Sequence, residues 1–98
     1  MEIIKWIENW YVSQCDGDWE HSYGIIIETI DNPGWSITID LLETSIEKLF
    51  IEYSLTELSE NNWYGYSVNQ GQFKAVGDPT KLFFLLNLFK KIVETNSI

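Results

Sequence analysis

The sequence predicts an α+β domain: an N-terminal helix, a five-stranded antiparallel meander sheet and a C-terminal helix, with both helices packed on one sheet face. Three observations carry this prediction. Apolar residues recur at helical spacing near both ends of the chain, over residues 2–14 and again after Asp78-Pro79. Between them, stretches of period-two alternation are punctuated by Asp31-Asn32-Pro33-Gly34 and Gln70-Gly71, which are turn signals. The connections are short, which favours antiparallel neighbours. Two apolar-faced helices are most simply accommodated as one layer over one face of the sheet. At 98 residues the chain makes a single domain, 1–98.

Taken in order, residues 2–14 form the first helix, with Ile3, Ile7, Trp10 and Tyr11 on one face beside Ile4 and Trp6. Asp16-Gly17 stops it, since glycine takes the left-handed conformation readily. Gly24 to Asp31 is a strand, and its uninterrupted Ile25-Ile26-Ile27 predicts a central strand buried on both faces. Pro33 and Gly34 suit a turn. Trp35 to Leu41 alternates, with Trp35, Ile37, Ile39 and Leu41 on one face, and completes a hairpin.

Residues 42–49 read as a polar connection. Phe50 to Thr56 alternates again, placing Ile51, Tyr53 and Leu55 together on one side. Glu57 to Asn62 reads as a turn region. Trp63 to Asn69 is an aromatic strand, joined by Gln70-Gly71 to a last strand over Gln72 to Val76, and Gly77 ends the sheet. Asp78 suits a helix N-cap and Pro79 the first helical position. Leu82, Leu85, Leu86, Phe89 and Val93 line the core face of the second helix, and Lys90 and Lys91 stand near its C-terminus, where cations complement the dipole. Asn96 to Ile98 are expected to fray. The sheet face away from the helices carries Ser, Thr, Glu and Asp with some Tyr or Trp, and is the natural candidate for a binding surface.

The net charge of −9 is unevenly spread. No Lys or Arg occurs between Lys5 and Lys48, whereas that interval holds nine acids, among them Glu8, Asp16, Asp18, Glu20, Asp31 and Asp40. The remainder of the chain balances to zero. Such a field repels nucleic acid and anionic membranes and draws in basic partners. All six basic residues are lysines, so the bidentate phosphate clamp of arginine is missing. The single cysteine, Cys15, excludes an internal disulfide and fits a reducing compartment. The N-terminus lacks the pattern of a signal peptide, so a soluble cytoplasmic protein is expected.

One span concentrates chemistry-bearing residues. Asp16, Asp18, Glu20 and His21 lie within six positions, which admits a reading as a small metal-binding protein or hydrolase. Counted as an EF-hand loop from Asp16, however, the sixth position is His21 and the twelfth is Ile27, where glycine and glutamate are needed. The structural reading is that Asp16 and Asp18 accept hydrogen bonds from turn amides, Trp19 plugs the junction of sheet and helix, and His21 satisfies a neighbouring backbone group or acid. Cys15, at a helix C-terminus among acids, is in the wrong field for a reactive thiolate and is expected to be a small buried residue. No phosphate loop, nucleophile elbow or zinc spacing is present.

These residues also carry a resemblance. Trp6 with Asn9-Trp10-Tyr11, then Cys15 through His21, Gly24-Ile25, Thr29 through Trp35, Ile39-Asp40-Leu41 and Thr44 resemble the immunity protein 53 family of bacterial polymorphic toxin systems. Trp63, Phe73, Gly77, Leu82, Leu86 and Phe89 continue the likeness. The resemblance implies an antitoxin that binds a cognate toxin in the producer's cytoplasm, with no enzymatic activity, cofactor or metal. Its acidic segment would suit a toxin with a basic cleft, such as a nuclease. Asp16, Asp18, Trp19, Glu20, His21, Asp31 and Asp40 are the candidate partner-binding residues.

Overall fold

The structure, a computed structural model, describes residues 2–96. Helix α1 (Glu2–Gln14) leads through a single helical turn, α2 (Trp19–Ser22), into the hairpin of β1 (Ile25–Ile30) and β2 (Gly34–Asp40). Strands β3 (Ile51–Ser59), β4 (Asn62–Asn69) and β5 (Gln72–Gly77) follow, and helix α3 (Leu82–Asn96) closes the chain. The expected helix, five antiparallel strands and helix are all present, in an α+β arrangement. The turn α2 was not foreseen.

The strand order is β1-β2-β5-β4-β3, so the sheet is not a meander in chain order. Strand β2 pairs with β5 rather than with β3, and residues 41–50 carry the chain to the far edge. The register explains the choice. It sets Ile37 beside Ala75 and Ile39 beside Phe73, which joins the most apolar strand faces at the centre. It leaves β3, with Glu52, Ser54, Thr56 and Glu57, on an edge where polar side chains meet water. The crossing segment is anchored rather than merely polar: Leu41 and Ile46 are buried, and successive turns are closed by Thr44 N–H to Leu41 O at 3.0 Å and Leu49 N–H to Ile46 O at 3.1 Å.

The same order places β1 at the other edge. Ile26 and Ile27 are 56% and 42% exposed, so the triple isoleucine run does not mark a strand buried on both faces. Strand β3 runs longer than its alternation indicated, through Ser59, and a register shift between Ile51 and Ser54 divides its apolar residues. Ile51 pairs with buried Val68 on the helix side, whereas Tyr53 and Leu55 turn to the opposite face.

Both helices cover one face of the sheet. Ile3 and Trp10 of α1 and Leu85, Leu86, Phe89 and Ile92 of α3 meet Ile37, Ile39, Val68, Phe73 and Ala75 in one buried cluster. Phe89 is its hub. Its ring centroid lies 5.0 Å from Trp10, 5.1 Å from Phe73 and 6.0 Å from Trp6. The two tryptophan contacts are edge-to-face, and such pairs add about 0.5–1.5 kcal/mol each beyond the area they bury. Tyr64 and Tyr66 of the aromatic strand also pack toward this layer, Tyr64 against Phe84 with centroids 4.5 Å apart.

Helix α3 begins at Leu82, later than Asp78-Pro79 suggested. Asp78 is still tied to the sheet: its N–H donates to Trp63 O at 3.1 Å, and its own Oδ2 accepts the Trp63 N–H at 2.9 Å. Held there, it closes a turn with Lys81 N–H instead of capping a helix. The helix then runs to Asn96, whose side-chain amide donates to Ile92 O at 2.8 Å, so Lys90 and Lys91 lie outside its last turn. Of the terminal residues expected to fray, Ser97 and Ile98 lie outside the described residues. No helix among the described residues is long and apolar enough to cross a membrane.

Candidate functional site

The acidic loop after α1 is built by reciprocal capping. Gly17 takes φ +96°, which lets the chain reverse. Asp16 Oδ1 then accepts the N–H groups of Asp18 at 2.9 Å and Trp19 at 3.0 Å. Glu20 reaches back, its two carboxylate oxygens accepting the N–H groups of Asp16 at 3.0 Å and Gly17 at 2.9 Å. The amides of Trp19 and Asp18 hold the Asp16 carboxyl below its ordinary range. Glu20 is lowered too, first by its own amide and then, against partial desolvation, by those of Asp16 and Gly17 and by the nearby His21.

This arrangement orients the α2 turn so that Trp19 enters the core. Trp19 is 1% exposed and its indole N–H donates to Leu42 O at 2.9 Å. Its ring meets Trp10 edge-on, with centroids 6.0 Å apart. The plug expected at the junction of sheet and helix is therefore present, and Trp19 is no part of an exposed rim. Cys15 is half-buried rather than buried, with its thiol 3.3 Å from Tyr11 O.

The loop's carboxylates do not converge on a common point as metal ligands would. Those of Asp16 and Glu20 face backbone amides, and the exposed Asp18 and His21 side chains make no hydrogen bond among the described residues. The expected partner for His21 is thus limited to the charge of Glu20. Among the described residues no group of three or more His, Cys, Asp or Glu side chains has a metal-holding arrangement.

Of the other candidates, Asp40 sits at the same end of the sheet. Its Oδ2 accepts Gly24 N–H at 3.0 Å and its Oδ1 the Gln72 side-chain amide at 2.9 Å, so it ties β1 to β5. Asp31 lies apart from both. It precedes the cis Asn32-Pro33 bond at the far end of β1, about 20 Å away along a six-residue strand.

That far end opens onto the sheet face left bare by the helices. Two adjoining hollows lie there. One, of about 400 Å³, is lined by Ser36, Thr38, Tyr53, Gly65, Ser67 and Lys74. The other, of about 470 Å³, is lined by Asn32, Tyr53, Leu55, Glu57, Glu60 and Trp63. Tyr53 is common to both and lies over Gly65, where any Cβ would collide with its hydroxyl. Tyr53 and Leu55 are 55% and 52% exposed. The composition of this face was legible in the sequence, but Tyr53, Leu55, Glu57, Glu60 and Trp63 were not among the candidate residues. The alternation assigned Ile51, Tyr53 and Leu55 to one side, and the irregular register of β3 leaves no mark in a hydropathy pattern.

No curated protein and no solved structure matches the chain. The model of the immunity protein 53 family matches residues 4–94, which span both helices and the whole sheet, and the chain belongs to that family.

Proposed function

We propose that this chain is an antitoxin that neutralises a cognate bacterial polymorphic toxin by direct binding in the cytoplasm of the producing cell. Membership of the immunity protein 53 family over residues 4–94 is the observation that carries the reading. The physical character of the chain supports it. A rigid small core presents a strongly acidic exterior, which speeds encounter with a basic partner and disfavours nucleic acid. A nuclease, whose cleft is basic, is the kind of toxin this field complements. Binding rather than catalysis is the activity, with no cofactor or metal. Asp16, Asp18, Glu20, Asp31 and Asp40 contribute to the acidic field, His21 stands exposed beside the first three as a further contact group, and Trp19 holds the loop at residues 16–21 in place.

Co-expression with the toxin encoded beside this chain's gene tests the proposal. Survival of the host, together with recovery of a complex of the two purified proteins, is the expected result. Loss of viability despite stable expression of this chain, with no complex formed, overturns it. The steering role has its own measurement. Asp18→Lys combined with Asp31→Lys, two exposed residues whose side chains make no hydrogen bond among the described residues, slows association at low salt and has little effect at high salt. Unchanged association at low salt would remove the acidic field from the account.

A further inference from the structure

We propose that the bare sheet face around Tyr53, Leu55 and Trp63 is the docking surface, and that its occupant is a protein segment presenting arginine or lysine. The inference rests on the antitoxin reading and names the surface of contact. Two regions compete for that role, and they differ in what they offer. The loop at residues 16–21 presents charge but no exposed apolar side chain of its own, because Trp19 is in the core; the exposed Tyr11 and Val12 beside it belong to α1. The bare face presents both. Tyr53 and Leu55 are more than half exposed, half-buried Trp63 lies beside them, and Glu57 and Glu60 line the same hollow. Asp31 adjoins Asn32 at its rim, and Glu28, paired with Ser36, faces the same way. Aromatic and aliphatic anchors inside a charged rim are the composition of interface hot spots.

The charge selects the occupant. The second hollow gathers Tyr53 and Trp63 with Glu57 and Glu60, the groups that hold a guanidinium by cation–π attraction and charge-assisted hydrogen bonding. A second copy of this chain would bring a single cation, Lys74, to meet Glu28, Glu57 and Glu60 of this face, which leaves carboxylates unmatched between molecules of charge −9 each. The same field opposes nucleic acid and anionic lipid. Lys74, paired with Thr38 and Ser67, lines the first hollow toward the opposite end, where it would repel a cation.

Affinity for the toxin domain encoded beside this gene is measured for Leu55→Ser, for Glu57→Lys with Glu60→Lys, for Lys74→Glu and for Asp18→Lys, each checked for an unchanged melting temperature. The face variants are expected to weaken binding by about tenfold or more, Lys74→Glu to tighten it, and Asp18→Lys to change the dissociation rate by less than about twofold. Face variants that bind like the wild type overturn the surface and leave the antitoxin function standing. If the wild type binds no toxin, the functional reading fails and a nine-arginine peptide decides the surface by amide chemical-shift mapping. Shifts centred on Tyr53, Glu57, Glu60 and Trp63 support the docking face. Shifts centred on residues 16–21, or none, overturn it.

Discussion

The carboxylate of Asp78, with no exposed surface, lies 2.7 Å from the ammonium of Lys81, whose side chain is 15% exposed. The pair joins the end of β5 to the approach of α3. Asp78 also accepts the N–H groups of Trp63 and Thr80 and the Thr80 hydroxyl, while Lys81 reaches Asn62 Oδ1 at 2.6 Å. Desolvation pushes the Asp78 carboxyl up, but Lys81, Thr80 and the Trp63 amide outweigh it and hold the group well below the usual carboxylate range. A group depressed on folding makes the unfolded chain the better proton binder, so stability rises with pH through that window. The contribution is complete above the unfolded carboxyl value of about 3.9 and is lost as pH falls from there through the folded value. Asp78→Asn is expected to lower the melting temperature at pH 7 by on the order of 10 °C and to flatten its fall between about pH 5 and pH 2. Melting followed by circular dichroism across that range checks both; a variant with the wild-type pH slope would exclude Asp78 as the source.

Trp19 is the second test of the tertiary frame. Trp19→Phe removes the indole bond to Leu42 O and leaves unfilled space at a site that is 1% exposed. The cost is expected to be about 2–4 kcal/mol, the sum of a packing defect and an unsatisfied carbonyl. It reads as a lower urea midpoint with an unchanged slope.

Gly34 tests the join between β2 and β5. A Cβ there would overlap the backbone carbonyl oxygen of Gly77, which cannot rotate away as a side chain can. Gly34→Ala is expected to cost about 2–4 kcal/mol by forcing the strands apart. Gly24→Ala is the control: a Cβ there meets nothing within 4 Å, and a change below about 0.5 kcal/mol is expected by the same measurement.

The two aspartates of the acidic loop separate by role. Asp16→Ala removes the acceptor for two amides and is expected to lower the melting temperature by a few degrees. Asp18→Ala removes no hydrogen bond and leaves it unchanged. Equal effects of the two substitutions, measured by calorimetry, would contradict this account of the loop.

Element type and element position were legible to different degrees. The 3.6-residue spacing of Ile3, Ile7 and Trp10, and the alternation of Trp35, Ile37 and Ile39, are local signals, and both elements stand where those signals place them. The turn at Gln70-Gly71, with φ of +53° and +76°, is likewise local chemistry. The run Ile25-Ile26-Ile27 misled because exposure belongs to the sheet order and not to the strand itself. Asp78-Pro79 misled because Asp78, its carboxylate bonded locally to Thr80 N–H and across the chain to Trp63 N–H, closes a turn that ends before the helix starts at Leu82.

By itself, then, the sequence determined the α+β class, the number and kind of the main elements, the concentration of negative charge and the family. Those properties depend on neighbours within a few residues or on composition. Only the tertiary structure decided that β5 inserts beside β2, that Trp19 is core, and that Tyr53, Leu55, Glu57, Glu60 and Trp63 share one bare face. Each of these follows from pairings between residues far apart in the chain, where burying the most apolar strand faces together outweighs sequential order.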